Sequence, residues 1–208
     1  MDIIKQLEWR YAVKSFSDKP LPEEKISRVE RGLQLTASSY GLQFMKYIWV
    51  TDIALRQQLF EHSYHQKQII EASHLLVLCR MSNIDTDEIP MHIERVAKER
   101  NQSISSLDKY AVHLDNAILN MSSVEQSQWM NNQIYLAMGS LLTICAAEAI
   151  DACPMEGFIP EEYDKVLGLK EKNLSSVLVC PIGYRSEADG YANQNKVRKS
   201  IDDLFLTV

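Results

Sequence analysis

The 208-residue sequence predicts one domain built as a layered sandwich of strands and helices, of the α/β or α+β class. Three observations lead there. The runs Tyr47-Ile48-Trp49-Val50, Leu75-Leu76-Val77-Leu78-Cys79 and Ser176-Val177-Leu178-Val179-Cys180 are short and continuously apolar, as strands covered on both faces must be. Stretches with helical periodicity separate them. No repeat, low-complexity block or Pro/Gly/Ser linker divides the chain, so residues 1–208 read as a single unit.

In chain order, Asp2 can cap a short helix that runs to about Trp9. Pro22-Glu23-Glu24 reads as a helix start, with proline in the first turn and acids at the positive end of the dipole. Ile26, Val29, Leu33 and Ala37 then form its apolar stripe. Between the first two strands, Ile53–His62 and Gln66–Ala72 have helical character, and Ile89–Met121 is mostly helical with a weaker pattern. The clearest helix starts at Ser122, where Ser122-x-x-Glu125 has capping-box spacing. Met130, Ile134, Met138, Leu141, Cys145 and Ala149 follow at helical intervals, and beyond Tyr135 the apolar residues Leu136, Leu142 and Ile144 occupy other faces. A helix with so few polar faces is buried on several sides, and in a chain of this size a subunit interface is a natural place for it. Pro160-Glu161-Glu162 opens another short helix that Gly168 ends, and the tail from Tyr184 to Ser200 is polar and irregular.

Composition narrows the function. Hydrophobic residues at 46% and charged residues at 24% are those of an ordinary soluble domain. A formal net charge of −6 argues against nonspecific nucleic-acid binding, and it makes any local cluster of cations stand out. The N-terminus lacks a basic segment followed by an apolar one, so no signal peptide is expected. The longest apolar stretch, within Ile134–Ile150, is interrupted by Ser140, Thr143 and Glu148 and is too short and polar to span a bilayer. Cys79, Cys145, Cys153 and Cys180 form no C-x-x-C pair and read as buried free thiols of a cytoplasmic protein, and the histidines show no metal-ligand spacing.

Three segments carry possible chemistry. Arg10-Tyr11-Ala12-Val13-Lys14 and Lys196-x-Arg198-Lys199 are basic clusters on an acidic chain, with too few neighbouring acids to neutralise them. They fit a phosphate site, arginine offering a bidentate fork, and from charge alone they equally fit two solvated patches. Cys153-Pro154-Met155-Glu156-Gly157 can form a turn that aims consecutive N–H groups at an electron-rich heteroatom, or can simply end the long helix. Thr36-Ala37-Ser38-Ser39-Tyr40-Gly41-Leu42-Gln43 offers small donors in a permissive loop, or is an ordinary helix C-terminus.

Taken together and in this order, these segments resemble the NAD(P)H-dependent nitroreductase family over nearly the whole chain. The family's R-x-x-x-K-x-F matches Arg10-Tyr11-Ala12-Val13-Lys14-Ser15-Phe16, and its S-x-x-N-x-Q-P loop is similar to Ser39-Tyr40-Gly41-Leu42-Gln43-Phe44. Ala72-Ser73-His74 before an apolar strand, Trp129-Met130-x-x-Gln133-x-Tyr135-Leu136-x-x-Gly139 in the long helix, Pro154-Met155-Glu156-Gly157-Phe158, Pro181-x-Gly183-Tyr184 and Lys196-x-Arg198 resemble further family motifs.

The resemblance implies an α+β fold: a three-layer sandwich with a central, mostly antiparallel sheet flanked by helices, in an intertwined homodimer with FMN at each end of the interface. The tail, about residues 184–208, would wrap the partner subunit. Carried over by position, Arg10, Lys196 and Arg198 would hold the FMN phosphate, with Tyr11 and Ala12 beside them. Lys14 would lie near N1 and the C2 carbonyl of the ring, where a cation stabilises the reduced flavin. The N–H groups of Glu156 and Gly157, in the Pro154-Met155 turn, would approach N5 and O4. Gln68 would touch the ribityl chain or ring edge, and Ser38, Ser39 and Gln43 would come from the other subunit. The implied reaction is ping-pong transfer of electrons from NADH or NADPH to a small acceptor such as a nitroaromatic or quinone. The flavin carries the chemistry, so no general base is named. Two other readings stay open: specialised reductive chemistry on the same fold and cofactor, and a flavin-binding protein without turnover. Ala12, Gly41 and Phe44-Met45 depart from the family pattern, which bears on one phosphate contact and on the second-subunit wall of the pocket.

Overall fold

The structure, a computed structural model, describes residues 2–208; Met1, the first residue of the expected domain, lies outside them. Helix α1 spans Ile3–Trp9, with the Asp2 carboxylate accepting from the Ile4 N–H at 3.1 Å, and α2 spans Glu23–Gln34. Strand β1, Met45–Val50, leads to α3, Ile53–Glu61, and to the short α4, Gln68–Glu71. Strand β2, His74–Met81, is followed by α5, Glu88–Glu99, and α6, Asp108–Ile118, with a 3-10 turn at Ile104–Leu107 between them. The long α7 runs Ser123–Ala147, then come β3, Asp151–Ala152, α8, Pro160–Val166, β4, Leu174–Gly183, and a single turn of helix, α9, Ile201–Leu204. The capping box at Ser122 is formed on both sides: Glu125 N–H donates to the Ser122 hydroxyl at 3.3 Å, and Ser122 N–H to the Glu125 carboxylate at 2.7 Å.

The strands lie in the order β1-β2-β4-β3, and every adjacent pair is antiparallel. Period-two alternation divides the core between two faces. On one face Leu76 and Leu78 of β2 and Leu178, Cys180 and Ile182 of β4 pack against Ile26, Val29 and Leu33 of α2 and Ile134, Met138, Leu141 and Cys145 of α7. On the other, Leu75, Val77 and Cys79 meet Leu59 of α3, Ile69 of α4, and Tyr163 of α8. Burial of such side chains stabilises by about 1.5–3 kcal/mol each, which makes β2 the centre of the molecule. The result is a three-layer α+β sandwich. A third apolar cluster joins α5 and α6 to Leu42, Phe44 and Met130, so the Ile89–Met121 region forms its own small unit over the start of α7.

The structure corrects several sequence expectations. Helix α2 stops at Gln34, so Ala37 is exposed and plays no part in the stripe. Ala149 lies beyond α7 with φ 50, because the chain must reverse there to enter β3. The two-residue β3 went unseen, being too short to show alternation. The outer face of α7 is not buried within one chain: Tyr135 and Leu136 are each 49% exposed. All four cysteines are free and buried, as expected. Among the described residues no helix is long and apolar enough to cross a membrane.

Candidate functional site

The first basic segment is held in an extended conformation along the sheet edge. Helix α1 ends at Arg10, which is already extended at φ −71 and ψ 141. Ala12 then bridges Ala152 of β3 in parallel, and Phe16 bridges Arg185. Val13 is fully buried in the core, so alternation turns Ala12 and Lys14 the other way. They face a cavity of 590 Å³ that is closed on its far side by the tail, with Arg10, Tyr11, Lys196 and Arg198 among its walls. The two basic clusters therefore share one pocket.

The cations there are close enough to disturb one another. Burial pushes the Arg10 guanidinium down from its ordinary range, and Arg198 pushes it further. Burial likewise lowers Lys196, with Arg10 and Arg198 adding to the effect. Lys196 Nζ donates to the carbonyls of Leu7 and Arg10, the last turn of α1. Among the described residues none of Arg10, Lys14, Lys196 or Arg198 forms an ion pair with a carboxylate. Repelling cations around a cavity, none of them in ion-pair contact with a carboxylate although Glu8 also lines it, make a site for a multiply charged anion such as a phosphate.

Lys14 connects this pocket to the turn after α7. Its Nζ lies 3.7 Å from Cys153 Sγ, and Gln68 Nε2 lies 3.9 Å from the same sulfur. Burial raises the Cys153 thiol, with Lys14 opposing, so the sulfur stays a weak neutral acceptor and the ammonium charge is not cancelled. From Cys153 the chain follows β4, Cys153 N–H donating to Pro181 and Met155 pairing with Val179. It then leaves the strand at Glu156-Gly157. Neither N–H of that pair donates to any acceptor among the described residues, although Gly157 is only half-exposed. A Cβ on Gly157 would stand 2.9 Å from Gln66 Nε2, whose amide donates to the Gly157 carbonyl at 2.8 Å. The Glu156 carboxylate accepts from Tyr135 Oη at 3.0 Å, tying the turn to α7. Two free donors beside a cation and a buried amide suit the polar edge of a planar heterocycle.

Of the expected site residues, the structure gathers Arg10, Tyr11, Ala12, Lys14, Lys196 and Arg198 around one cavity, and links it through Lys14 and Cys153 to Gln68 and the Pro154-Met155-Glu156-Gly157 turn. Ser38, Ser39 and Gln43 do not line that cavity. Ser39 N–H donates to Gln133 Oε1 at 2.7 Å, and the exposed Gln43 donates to the Gln34 carbonyl at 3.0 Å. The Ser38 hydroxyl is buried without a partner among the described residues. Their loop is conformationally set, with φ of 57 at Tyr40, 72 at Gly41 and 52 at Gln43.

Sequence reasoning missed Asp189, Tyr191, Gln194 and Asn195, which lie in or behind the cavity wall. The tail from Tyr184, polar and irregular in sequence and expected to wrap a partner, is over residues 184–192 fastened to its own chain. Half-buried Arg185 forms an ion pair with buried Asp151, Nη2 to Oδ1 at 2.6 Å, and its guanidinium lies 4.3 Å from the Trp9 ring centre and 4.6 Å from that of Tyr11. The Asp189-Gly190 pair was the available signal: Asp189 Oδ1 accepts from Tyr191 N–H at 3.0 Å, the bond of an Asx turn.

Comparisons with known proteins bear on the whole chain. The Nitroreductase family model matches residues 7–184. The chain is 28% identical over 222 residues to the oxygen-insensitive NAD(P)H nitroreductase of Salmonella typhimurium, covering 100% of both proteins. It is 30% identical over 215 residues to a Staphylococcus aureus protein, covering 98% of this chain and 94% of the relative. Among solved structures, a protein of Exiguobacterium sibiricum in complex with FMN superposes with a TM-score of 0.85 at 15% identity, over 100% of this chain and 98% of the other.

Proposed function

The chain belongs to the nitroreductase family, and from that premise we propose that it is an FMN-dependent oxidoreductase that passes electrons from NADH or NADPH to a small acceptor such as a nitroaromatic or quinone. The observation that carries this reading is the 590 Å³ cavity, where four cations without carboxylate partners converge. The residues fit the cofactor at both ends. Arg10, Lys196 and Arg198 would hold the phosphate. Lys14, Gln68 and the free N–H groups of Glu156 and Gly157 would meet the ring.

When bound, FMN supplies the two-electron chemistry, taking hydride from the nicotinamide and passing electrons to the acceptor in separate half-reactions of a ping-pong cycle. The chain's own residues orient and tune. With FMN in place, Lys14 would set positive charge against the reduced ring, and the Glu156 and Gly157 N–H groups would offer it fixed donors that need no reorganisation. No carboxylate or histidine lines the cavity except Glu8, so no proton-transfer residue is assigned.

A homodimer completes the proposal. Tyr135, Leu136, Gly139, Ser140 and Thr143 of α7 flank an open groove with Leu35 and Ala37, an apolar surface with no cover in one chain. The tail exposes Val197 at 84%, Ile201 at 75%, Phe205 at 71% and Leu206 at 92%. A soluble chain does not hold such a run of large apolar residues in water without a partner. The tail beyond about residue 192 would wrap the second subunit, whose own Ser38, Ser39 and Gln43 would close the site.

The test is an absorption spectrum of the purified protein, reconstituted with FMN if necessary, followed by anaerobic addition of NADH and then NADPH. Flavin bands that bleach with either nucleotide support the proposal. Bands that persist would reduce it to flavin binding without turnover, and failure to take up FMN would refute it.

A further inference from the structure

One buried carboxylate at the site has no cation partner. Asp189 is 4% exposed and, among the described residues, pairs with no lysine or arginine despite the four cations nearby. Its charge is spent on neutral donors. Oδ2 accepts from the N–H of Lys14 at 2.8 Å, the N–H of Ser15 at 3.3 Å and the hydroxyl of Tyr11 at 3.1 Å. Oδ1 accepts from Tyr191 N–H at 3.0 Å. Its backbone joins in: Asp189 N–H donates to Ser186, and Ala192 N–H to the Asp189 carbonyl. The backbone already ties Ser186 N–H to the Ser15 carbonyl at 2.9 Å, and the Asp189 side chain adds the one bond to the Lys14 N–H itself, 175 positions away in sequence.

We propose that Asp189 is a positioning residue that sets the Lys14 ammonium against the flavin ring, an inference that rests on the FMN reading above. The chemistry calls for a carboxylate and not an amide. Donors reach both oxygens, and an aspartate accepts at both. An asparagine of the same shape must turn its NH2 toward one set, opposing either Tyr191 N–H or the N–H groups of Lys14 and Ser15. The Lys14 backbone would lose its anchor on one side. Its ammonium, now held near Cys153 Sγ at 3.7 Å, would lose its fixed place. Burial opposes the Asp189 charge, yet the donors from Lys14, Tyr191, Ser15 and Tyr11 outweigh it and hold its pKa below the ordinary value, so the charged form belongs to the fold.

The experiment compares wild type, Asp189→Asn, Lys14→Met and the double variant, measuring FMN dissociation constants by fluorescence quenching and the midpoint potential of the bound flavin. In Asp189→Asn the preference for reduced over oxidised flavin should fall about tenfold, about 30 mV for a two-electron couple. On the Lys14→Met background the Asp189→Asn change should leave the potential where Lys14→Met alone puts it. A potential unmoved in Asp189→Asn, or shifts that add in the double variant, would overturn the inference, since Asp189 would then not act through Lys14. If Asp189→Asn does not fold, Asp189→Glu takes its place: it keeps the charge but displaces the carboxylate by one methylene, and an unchanged potential there is equally fatal. Wild-type protein that binds no FMN would sink the cofactor reading and this inference with it.

Discussion

On the FMN reading proposed above, replacing Arg198 with alanine should separate phosphate recognition from every other role of the tail. The guanidinium lines the cavity, is exposed, and has only the Val197 carbonyl as hydrogen-bond partner among the described residues, at 2.6 Å. Its loss leaves no buried group unsatisfied. What it removes is a charge-assisted fork on the phosphate, with a net worth of about 1.5–3 kcal/mol, or roughly a 10- to 150-fold weaker FMN affinity. In the free protein the effect has the opposite sign, because Arg198 depresses the pKa of both Arg10 and Lys196 and its removal relieves that repulsion. The apo variant should therefore melt no lower than wild type and elute at the same volume. The assay is fluorescence quenching with FMN and, in parallel, with riboflavin, which has the ring but no phosphate. FMN affinity should fall while riboflavin affinity stays level. Equal losses for both ligands, or none for FMN, would refute the assignment of Arg198 to the phosphate.

Arg56→Met should lower stability by about 3 kcal/mol in urea denaturation, because the buried guanidinium donates to the carbonyls of Val50 at 2.8 Å, Ala72 at 2.6 Å and Ser73 at 3.1 Å, and methionine leaves all three bare; a loss below 1 kcal/mol would mean that water replaces those bonds. Gly183→Ala should cost about 1–3 kcal/mol, since its Cβ would stand 2.9 Å from Phe16 Cδ1 and 3.1 Å from the Ser73 backbone nitrogen; an unchanged melting temperature would show that β4 can shift. His92 is buried with neither ring nitrogen partnered among the described residues, and burial, then Arg95 and Arg100, push its pKa below the unfolded value. The unfolded chain then binds the proton first, so wild-type stability falls as pH drops below about 6.5; His92→Leu should gain more over wild type at pH 5.5 than at pH 7.5, and an equal gap at both would contradict this.

How much of this could be read in the sequence depended on whether a signal was local. The continuous apolar runs placed three of the four strands, because burial on both faces leaves its mark residue by residue. Ser122 and Glu125 placed the start of α7, because a capping box is complete within four residues. By contrast, β3 is defined by its partner and not by its two residues, and its pairing with Gly183 and Ile182 cannot be seen from Asp151-Ala152 alone. The cations of the site were legible as clusters against an acidic background. The residues that hold them were not, since Asp189 and Arg185 become meaningful only when the tail turn folds back onto Tyr11, Lys14 and Asp151. Family resemblance supplied what periodicity could not: that the two clusters belong together.

The same geometry ranks the three cations proposed to face the phosphate. Lys196 Nζ already serves the Leu7 and Arg10 carbonyls, the negative end of α1, so one of its three N–H donors is left for an anion. Its first task is to fasten the tail to α1, which brings Arg198, two residues on, over the cavity. Arg10 is half-buried where Lys196 and Arg198 are exposed, and its backbone carbonyl is one of the two that Lys196 holds. Among the described residues the Arg10 guanidinium has no hydrogen-bond partner, and that of Arg198 has only the carbonyl of its own neighbour Val197. On the proposed reading the labour divides: Lys196 locks the tail to α1, and the guanidiniums of Arg10 and Arg198 would be left for the phosphate. If FMN and a second chain bind as proposed, a tail whose far end is exposed and apolar would couple cofactor binding to the seating of that end, because both would depend on the same short link from Lys196 to Arg198.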